Sequence, residues 1–125
     1  MPQLPVTLTF IALVAAALMP MTAWIGLYRG KHNILRGDGG DPVLHKRIRA
    51  HGQWIETAPL VALALGAAES LGAGAVWLWL TVAAYGVGRA LHWMIYDSKA
   101  RGASMSLTTG PAFMLSLWVL WTLWL

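Results

Sequence analysis

The chain has 125 residues, of which 58% are hydrophobic and only 11% are charged. Roughly a quarter of the residues in an ordinary soluble domain are charged, so this composition argues against a soluble globular protein and predicts a membrane protein. The absence of cysteine excludes disulfides and thiol catalysis by the protein's own side chains.

Four segments are long and apolar enough to cross a bilayer, which takes about 20 mostly apolar residues. In chain order they are Val6 to Tyr28, Arg49 to Ala68, Ala73 to Tyr96 and Leu107 to Leu125. The first segment lacks a basic stretch ahead of it and continues past Pro20, so we interpret it as a permanent helix and not a cleaved signal. The short connections favour antiparallel neighbours. We therefore expect residues 1–125 to form one all-α domain, an antiparallel bundle of four transmembrane helices.

The basic residues are concentrated in two connections between spans, which predicts an orientation in the membrane. They are Arg29, Lys31, Arg36, Lys46, Arg47 and Arg49 between and around spans one and two, and Lys99 and Arg101 after span three. The link between spans two and three contains Glu69 and neither lysine nor arginine. By the positive-inside rule, both basic loops face the cytoplasm and both termini face outward. The net charge of +4 is thus a topology signal, and we expect lipid contact and no nucleic acid partner.

The longest loop contains R-G-D-G-G-D-P, a composition typical of turns. A metal site at Asp38 and Asp41 is an alternative, but a solvated turn is favoured, and no spacing among the four histidines is typical of a metal ligand set. We predict no bound metal.

Small and hydroxyl-bearing residues in spans three and four suggest ordinary structural roles. Gly86 and Gly88 would permit close helix approach, although they do not form a G-x-x-x-G motif. Four hydroxyl side chains are expected to cap the start of span four. They are Ser104, Ser106, Thr108 and Thr109.

Polar residues recur at helical spacing inside two of the apolar spans, where such residues are usually paired or functional. One set lies on one face of span two and the other on one face of span three. The sets are Arg49, Gln53 and Glu56, which His45 would join if the helix begins early enough, and Arg89, His92 and Tyr96. Both sets end at the cytoplasmic mouth. A rise of 1.5 Å per residue places Glu56 and Arg89 at matching depth, about 10 Å inward.

Two interpretations of these sets remain open. In the first, Glu56 neutralises Arg89, and the other members complete a hydrogen-bonded network that fixes helix register. In the second, a polar pocket open to the cytoplasm is surrounded by Arg49, His92, Tyr96 and the basic end of span one, with Arg29 and Lys31. Such a pocket suits a small anionic ligand, because arginines bind carboxylates in bidentate fashion.

The two polar strings resemble a known membrane protein family. R-A-H-x-x-x-x-E-x-x-P opens the second span and R-x-x-H-x-x-x-Y closes the third, as in the MAPEG family (membrane-associated proteins in eicosanoid and glutathione metabolism). The resemblance covers essentially the whole chain, and the G-D-G-G-D loop and short length resemble the bacterial branch. It implies a homotrimer of left-handed four-helix bundles, in the inner membrane for a bacterial member, with glutathione bound between protomers near the cytoplasmic side.

The same resemblance implies a set of glutathione-binding residues by motif position. Arg29 or Lys31 would reach the site from the adjacent protomer. The other residues of the set are Arg49, Gln53, Glu56, Arg89, His92 and Tyr96.

The chain departs from the family pattern at positions that matter for catalysis. Gln53 stands where asparagine is usual, and Gly52 stands where the eicosanoid enzymes have a further arginine. Met105 stands where those enzymes carry the arginine that stabilises the glutathione thiolate, and a thiol with a pKa of about 8.5 needs a positive charge or strong donors to ionise at neutral pH. The candidates for assisting thiolate formation are therefore Tyr96, Arg101 and Ser106.

The leading functional expectation is a glutathione-dependent membrane transferase or peroxidase acting on lipophilic electrophiles from the bilayer, with glutathione as co-substrate. The alternative is a catalytically silent protein that binds glutathione, a lipid or another small anion. A small multidrug-type transporter is disfavoured, because those carry a carboxylate in the first span and this span has no charge between Val6 and Tyr28.

Overall fold

A computed structural model describes residues 3–125 and is built from four helices. They are α1 (Pro5–His32), α2 (Pro42–Ser70), α3 (Ala75–Met94) and α4 (Arg101–Trp124). Helix α2 packs against each of the other three, and α3 packs most extensively against α4. The described chain contains no strand, so the prediction of an all-α protein with four helices is confirmed.

Local capping extends α1 and α2 beyond their predicted spans, whereas α3 is shorter than its predicted span at both ends. Asp41 caps α2, because its Oδ1 accepts hydrogen bonds from the amides of Val43 at 2.9 Å and Leu44 at 3.2 Å. Pro42 follows at a position where its missing N–H costs nothing, so α2 begins well before residue 49. Helix α1 ends at Asn33, which is left-handed (φ 55°) and donates its amide to the Arg29 carbonyl.

The prediction that four hydroxyl residues cap α4 is wrong. The helix already begins at Arg101, so these residues lie inside its first two or three turns. Each hydroxyl donates to a backbone carbonyl three or four residues earlier.

Two helices, α1 and α4, are long and apolar enough to cross a membrane. Helices α2 and α3 do not reach that hydropathy, because they carry the polar sets, and their assignment as spans stays a prediction. The outer faces of the bundle are nevertheless apolar. The residues Leu60, Leu63, Val76, Phe113 and Met114 are each more than 60% exposed. A surface of this kind requires lipid or a neighbouring subunit.

An aromatic cluster joins α1, α2 and α3 in the middle of the bundle. The Tyr85 ring is 1% exposed and lies edge-on to Phe10, with ring centroids 5.1 Å apart, and to Trp54 at 5.4 Å. The Tyr85 hydroxyl is satisfied by Thr57 Oγ1 at 2.9 Å. This cluster fixes the three helices relative to one another.

Glu69 ties the end of α2 to the start of α1. Its carboxylate accepts hydrogen bonds from the amides of Val6 at 3.0 Å and Thr7 at 2.9 Å. The first amides of a helix have no intrahelical partner, and a negative charge is favourable beside them. The sequence marked Glu69 only as an acidic link residue, so this structural role is a finding.

Gly88 permits the close approach of α3 to α4. A Cβ atom at this position would lie 2.8 Å from the Thr108 amide nitrogen and 3.0 Å from the Ser104 carbonyl oxygen. A Cβ at Gly86 would meet nothing within 4 Å. The predicted role of the two glycines is therefore confirmed at Gly88 and wrong at Gly86.

Candidate functional site

A polar cavity of about 650 Å³ lies between α2, α3 and α4, at the end of the bundle that carries the 33–41 loop and the 95–100 turn. We call this end the basic end. The cavity is lined by His45, Arg49, Gln53, His92, Tyr96, Lys99, Arg101, Gly102 and Met105. Three of these side chains are cations and none is a carboxylate. The cavity is therefore suited to an anion with hydrogen-bonding groups.

The two predicted polar sets do converge, and each supplies part of the wall. Arg49 and Gln53 come from α2, His92 from α3, and Tyr96 from the turn that follows it. Arg101, predicted from the sequence, completes the wall from the first residue of α4. Lys99, in the turn before α4, and Gly102, in the first turn of α4, were missed, because nothing in the helical spacing relates them to the two sets.

The predicted Glu56–Arg89 pair is wrong. The Glu56 side chain is 61% exposed, and its Oε1 lies 3.8 Å from Nη1 of Arg49. Arg89 Nη1 instead donates to Gln53 Oε1 at 2.9 Å. Equal depth along two helices does not decide which way each side chain faces, and Glu56 faces outward from the bundle.

Arg89 is held by neutral groups from two other helices. Besides Gln53, its guanidinium contacts Thr108 Oγ1 at 3.3 Å and the Met105 sulfur. No carboxylate pairs with it among the described residues. Its charge thus adds to the positive potential beside the polar cavity.

Other predicted site residues lie outside this cavity in a single chain. Arg29 Nη1 donates to the Gly37 carbonyl at 2.7 Å, and Lys31 is exposed. Ser106 is exposed and donates to the carbonyl of Gly102. The expectation that Arg29 and Lys31 surround the pocket is therefore not met within one chain, and the role that the family resemblance implies for Arg29 or Lys31 of an adjacent protomer stays a prediction.

His92, in the cavity wall, is hydrogen-bonded to Ser104, which lies behind the wall. His92 is 5% exposed, and its Nδ1 lies 3.0 Å from Ser104 Oγ. The Ser104 hydroxyl is within 2.6 Å of the Arg101 carbonyl oxygen. This pair was missed because Ser104 was interpreted as a helix cap.

Comparison with known proteins identifies the family. The chain matches the MAPEG family over residues 7–125, essentially its whole length. The chain belongs to the MAPEG family. Comparisons with curated proteins and with solved structures found no match. Membership confirms the resemblance of the two polar strings and makes this a membrane protein of the family associated with glutathione and eicosanoid metabolism.

A second cavity of this MAPEG chain, of about 420 Å³, lies between α1, α2 and α3. Gln53, His92 and Tyr96 line it together with the polar cavity, so the two cavities share a wall. The remaining lining is mainly apolar and aromatic. It includes Met21, Trp24, Ala50, Trp54, Gly86, Ala90 and Trp93, with Arg89 as the charged member. An anionic and a lipophilic ligand would therefore meet at the shared wall.

The loop of the MAPEG chain at the basic end is a turn, as predicted. Asp38 Oδ1 accepts from the Gly40 amide at 2.9 Å, and its Oδ2 lies 2.8 Å from His45 Nδ1. Hydrogen bonds lower the pKa of Asp38 below its usual value, the one from the Gly40 amide having the larger effect and the one with His45 the smaller. The pKa of Asp41 is likewise lowered, mainly by the hydrogen bond from the Tyr28 hydroxyl and less by those from backbone amides. The described residues contain no group of three metal-binding side chains.

Proposed function

We propose that this MAPEG protein is a glutathione-dependent membrane transferase or peroxidase acting on lipophilic electrophiles that enter from the bilayer. The observation that carries the proposal is the polar cavity lined by three cations and no carboxylate. Glutathione has two carboxylates at neutral pH, and cationic side chains, arginine above all, bind such groups strongly. The cavity volume of about 650 Å³ also falls within the usual range for ligand pockets.

Each residue of the cavity has a role in this proposal. Arg49 and Arg101 bind the glutathione carboxylates, Gln53 and His92 bind its polar groups, and Tyr96 lies beside the thiol. Arg89 supplies a further positive charge behind Gln53, since no carboxylate neutralises it among the described residues. The aromatic cavity beyond the shared wall takes the lipophilic substrate, because apolar and aromatic side chains form most of it.

The proposal extends to assembly and orientation. The apolar outer faces support burial against lipid and against neighbouring subunits in a homotrimer. In that assembly Arg29 or Lys31 of an adjacent protomer and the outward-facing Glu56 complete the glutathione site. The basic end faces the cytoplasm of a bacterial inner membrane, and both termini face outward. Light scattering of the detergent-solubilised protein tests the trimer, and a monomeric mass would contradict it.

A second candidate function is binding of glutathione, a lipid or another small anion without catalysis. Met105 favours it, since this side chain stands where the family's catalytic members have an arginine, and its sulfur only contacts Arg89. Introducing the charge as Met105→Arg separates the two functions. Ligand binding that persists in Met105→Arg without any gain of conjugating activity favours the silent binder, whereas full activity of the native chain excludes it.

Calorimetric titration of the purified protein with glutathione tests the leading proposal. We expect saturable binding, and conjugation of an aryl halide by the bound thiol. Arg49→Gln should weaken binding about tenfold, equivalent to the loss of one charge-assisted contact of about 1.4 kcal/mol. Arg36→Gln is the matched control, because Arg36 is an exposed loop arginine away from the cavity. No heat with the native chain, or equal losses in both variants, would contradict the proposal.

A further inference from the structure

The hydrogen bonds of His92 assign the proton to one ring nitrogen. The Ser104 hydroxyl has a single hydrogen, which it donates to the Arg101 carbonyl at 2.6 Å. Ser104 Oγ must therefore accept the 3.0 Å bond from His92 Nδ1, which carries the proton. In the neutral imidazole the lone pair then belongs to Nε2.

This Nε2 atom has no hydrogen-bond partner among the described residues, although it is buried. Buried polar side-chain atoms in native proteins nearly always have a partner, so an exception requires an explanation. His92 belongs to the wall shared by the polar and the aromatic cavity. A donor group on a ligand at that wall would satisfy the free lone pair.

We propose that His92 Nε2 is the general base that accepts the thiol proton of bound glutathione, an inference that rests on the proposed function. The S–H bond breaks, the proton moves to Nε2, and the electron pair stays on sulfur. With an aryl halide as the probe, the thiolate forms a carbon–sulfur bond and the halide leaves with its electron pair. The imidazolium then releases its proton to water.

The cations around His92 act on both partners of this transfer. The guanidinium groups of Arg49 on α2, Arg89 on α3 and Arg101 on α4 disfavour a positive charge on the imidazole, but they stabilise the thiolate that the same transfer creates. The hydrogen bond from Nδ1 to Ser104 fixes the orientation of the imidazole ring. Where a base activates a nucleophile, a third group commonly orients the base in this way.

Tyr96 lies beside His92 in the wall that the two cavities share. Its ring packs edge-on against the imidazole, with centroids 5.8 Å apart. Tyr96 lies beyond the last residue of α3, in the turn before α4, so its side chain moves without breaking a helix. Because Nε2 is buried, the proposal requires the side chains beside it, Tyr96 among them, to move before the thiol reaches it.

The test measures glutathione binding by calorimetry, and thiolate formation by the ultraviolet absorbance of the bound thiolate, on the full chain in detergent. At saturating glutathione, His92→Gln should lose the thiolate signal and conjugate an aryl halide about a hundredfold more slowly, whereas its glutathione affinity should fall by no more than about tenfold, the loss of one neutral hydrogen bond. His51→Gln is the matched control, because His51 contacts Thr22 Oγ1 at 3.2 Å and lines neither cavity.

Ser104→Ala provides a second variant if His92→Gln fails to fold. It removes the anchor of Nδ1, so it should lower the thiolate signal while glutathione still binds. Thr109→Ala is its control, because this exposed hydroxyl donates only to the Met105 carbonyl. An unchanged thiolate signal in the folded His92→Gln or Ser104→Ala protein would overturn the inference. A native chain that binds no glutathione would overturn the proposed function itself.

Discussion

Replacement of Gly88 by alanine tests the packing that positions the site. The added Cβ would lie 2.8 Å from the Thr108 amide nitrogen and 3.0 Å from the Ser104 carbonyl oxygen. Both are backbone atoms of α4, so no side-chain rotation relieves the contact, and α3 and α4 must separate by several tenths of an ångström. Overpacking of this kind costs about 1–3 kcal/mol.

Gly86→Ala is the matched control for this overpacking, because Gly86 lies on the same helix as Gly88 and a Cβ at Gly86 would meet nothing within 4 Å. Both variants gain the same helix propensity, about 1 kcal/mol, so their difference reports the overpacking alone. Denaturant unfolding in detergent micelles, followed by circular dichroism, should show Gly88→Ala less stable than Gly86→Ala by about 1–3 kcal/mol. The thiolate signal of bound glutathione should fall with it, because Ser104 holds His92 Nδ1. Equal stability of the two variants would refute the close approach of α3 and α4.

Three further predictions concern caps and the basic end. Glu69→Gln should lower the free energy of unfolding in denaturant by about 1 kcal/mol, because the Glu69 carboxylate caps α1. Glu56→Gln, the control, should lower it less, since this substitution loses only an exposed ion pair. Equal losses from the two substitutions would contradict the capping role of Glu69. Asp41→Ala should lower the free energy of unfolding by about 1 kcal/mol, and Asp41→Asn should lower it less, because only asparagine keeps a capping oxygen. Equal losses from the two substitutions would argue against the cap. The pKa values of Asp38 and Asp41 are lowered in the folded protein. The two ionised carboxylates therefore contribute fully to the stability of the folded loop above the usual carboxylate pKa of about 3.9. This contribution to stability is lost as the pH falls through the lowered pKa values. Amide hydrogen exchange of residues 38–44 should therefore keep its protection factors at neutral pH and lose them in acid, and unchanged protection factors in acid would contradict the assignment.

The helices were predictable because apolar runs of this length have few other structures available. Their ends were not, because a cap depends on one side chain. Asp41 starts α2 ahead of its apolar part, and Asn33 ends α1 with a left-handed residue. Hydropathy responds to neither feature, so the predicted spans of α1 and α2 describe the apolar parts of these helices and not their full lengths.

The site was predictable as a place but not as a set of contacts. Helical spacing brought the two polar sets to one end of the bundle, where Arg49, Gln53 and His92 share a cavity. It could not give the rotation of each helix about its axis, so Glu56 was paired with Arg89 although it faces outward. The role of Ser104 depends on the α3–α4 approach at Gly88, a contact between residues far apart in the sequence.

The structure of the protein with glutathione bound is the most direct test of the central claim. We expect glutathione in the polar cavity, with its carboxylates on Arg49 and Arg101 and its sulfur near His92. Glutathione bound away from this cavity, or a cavity whose side chains contact only one another at saturating glutathione, would contradict it.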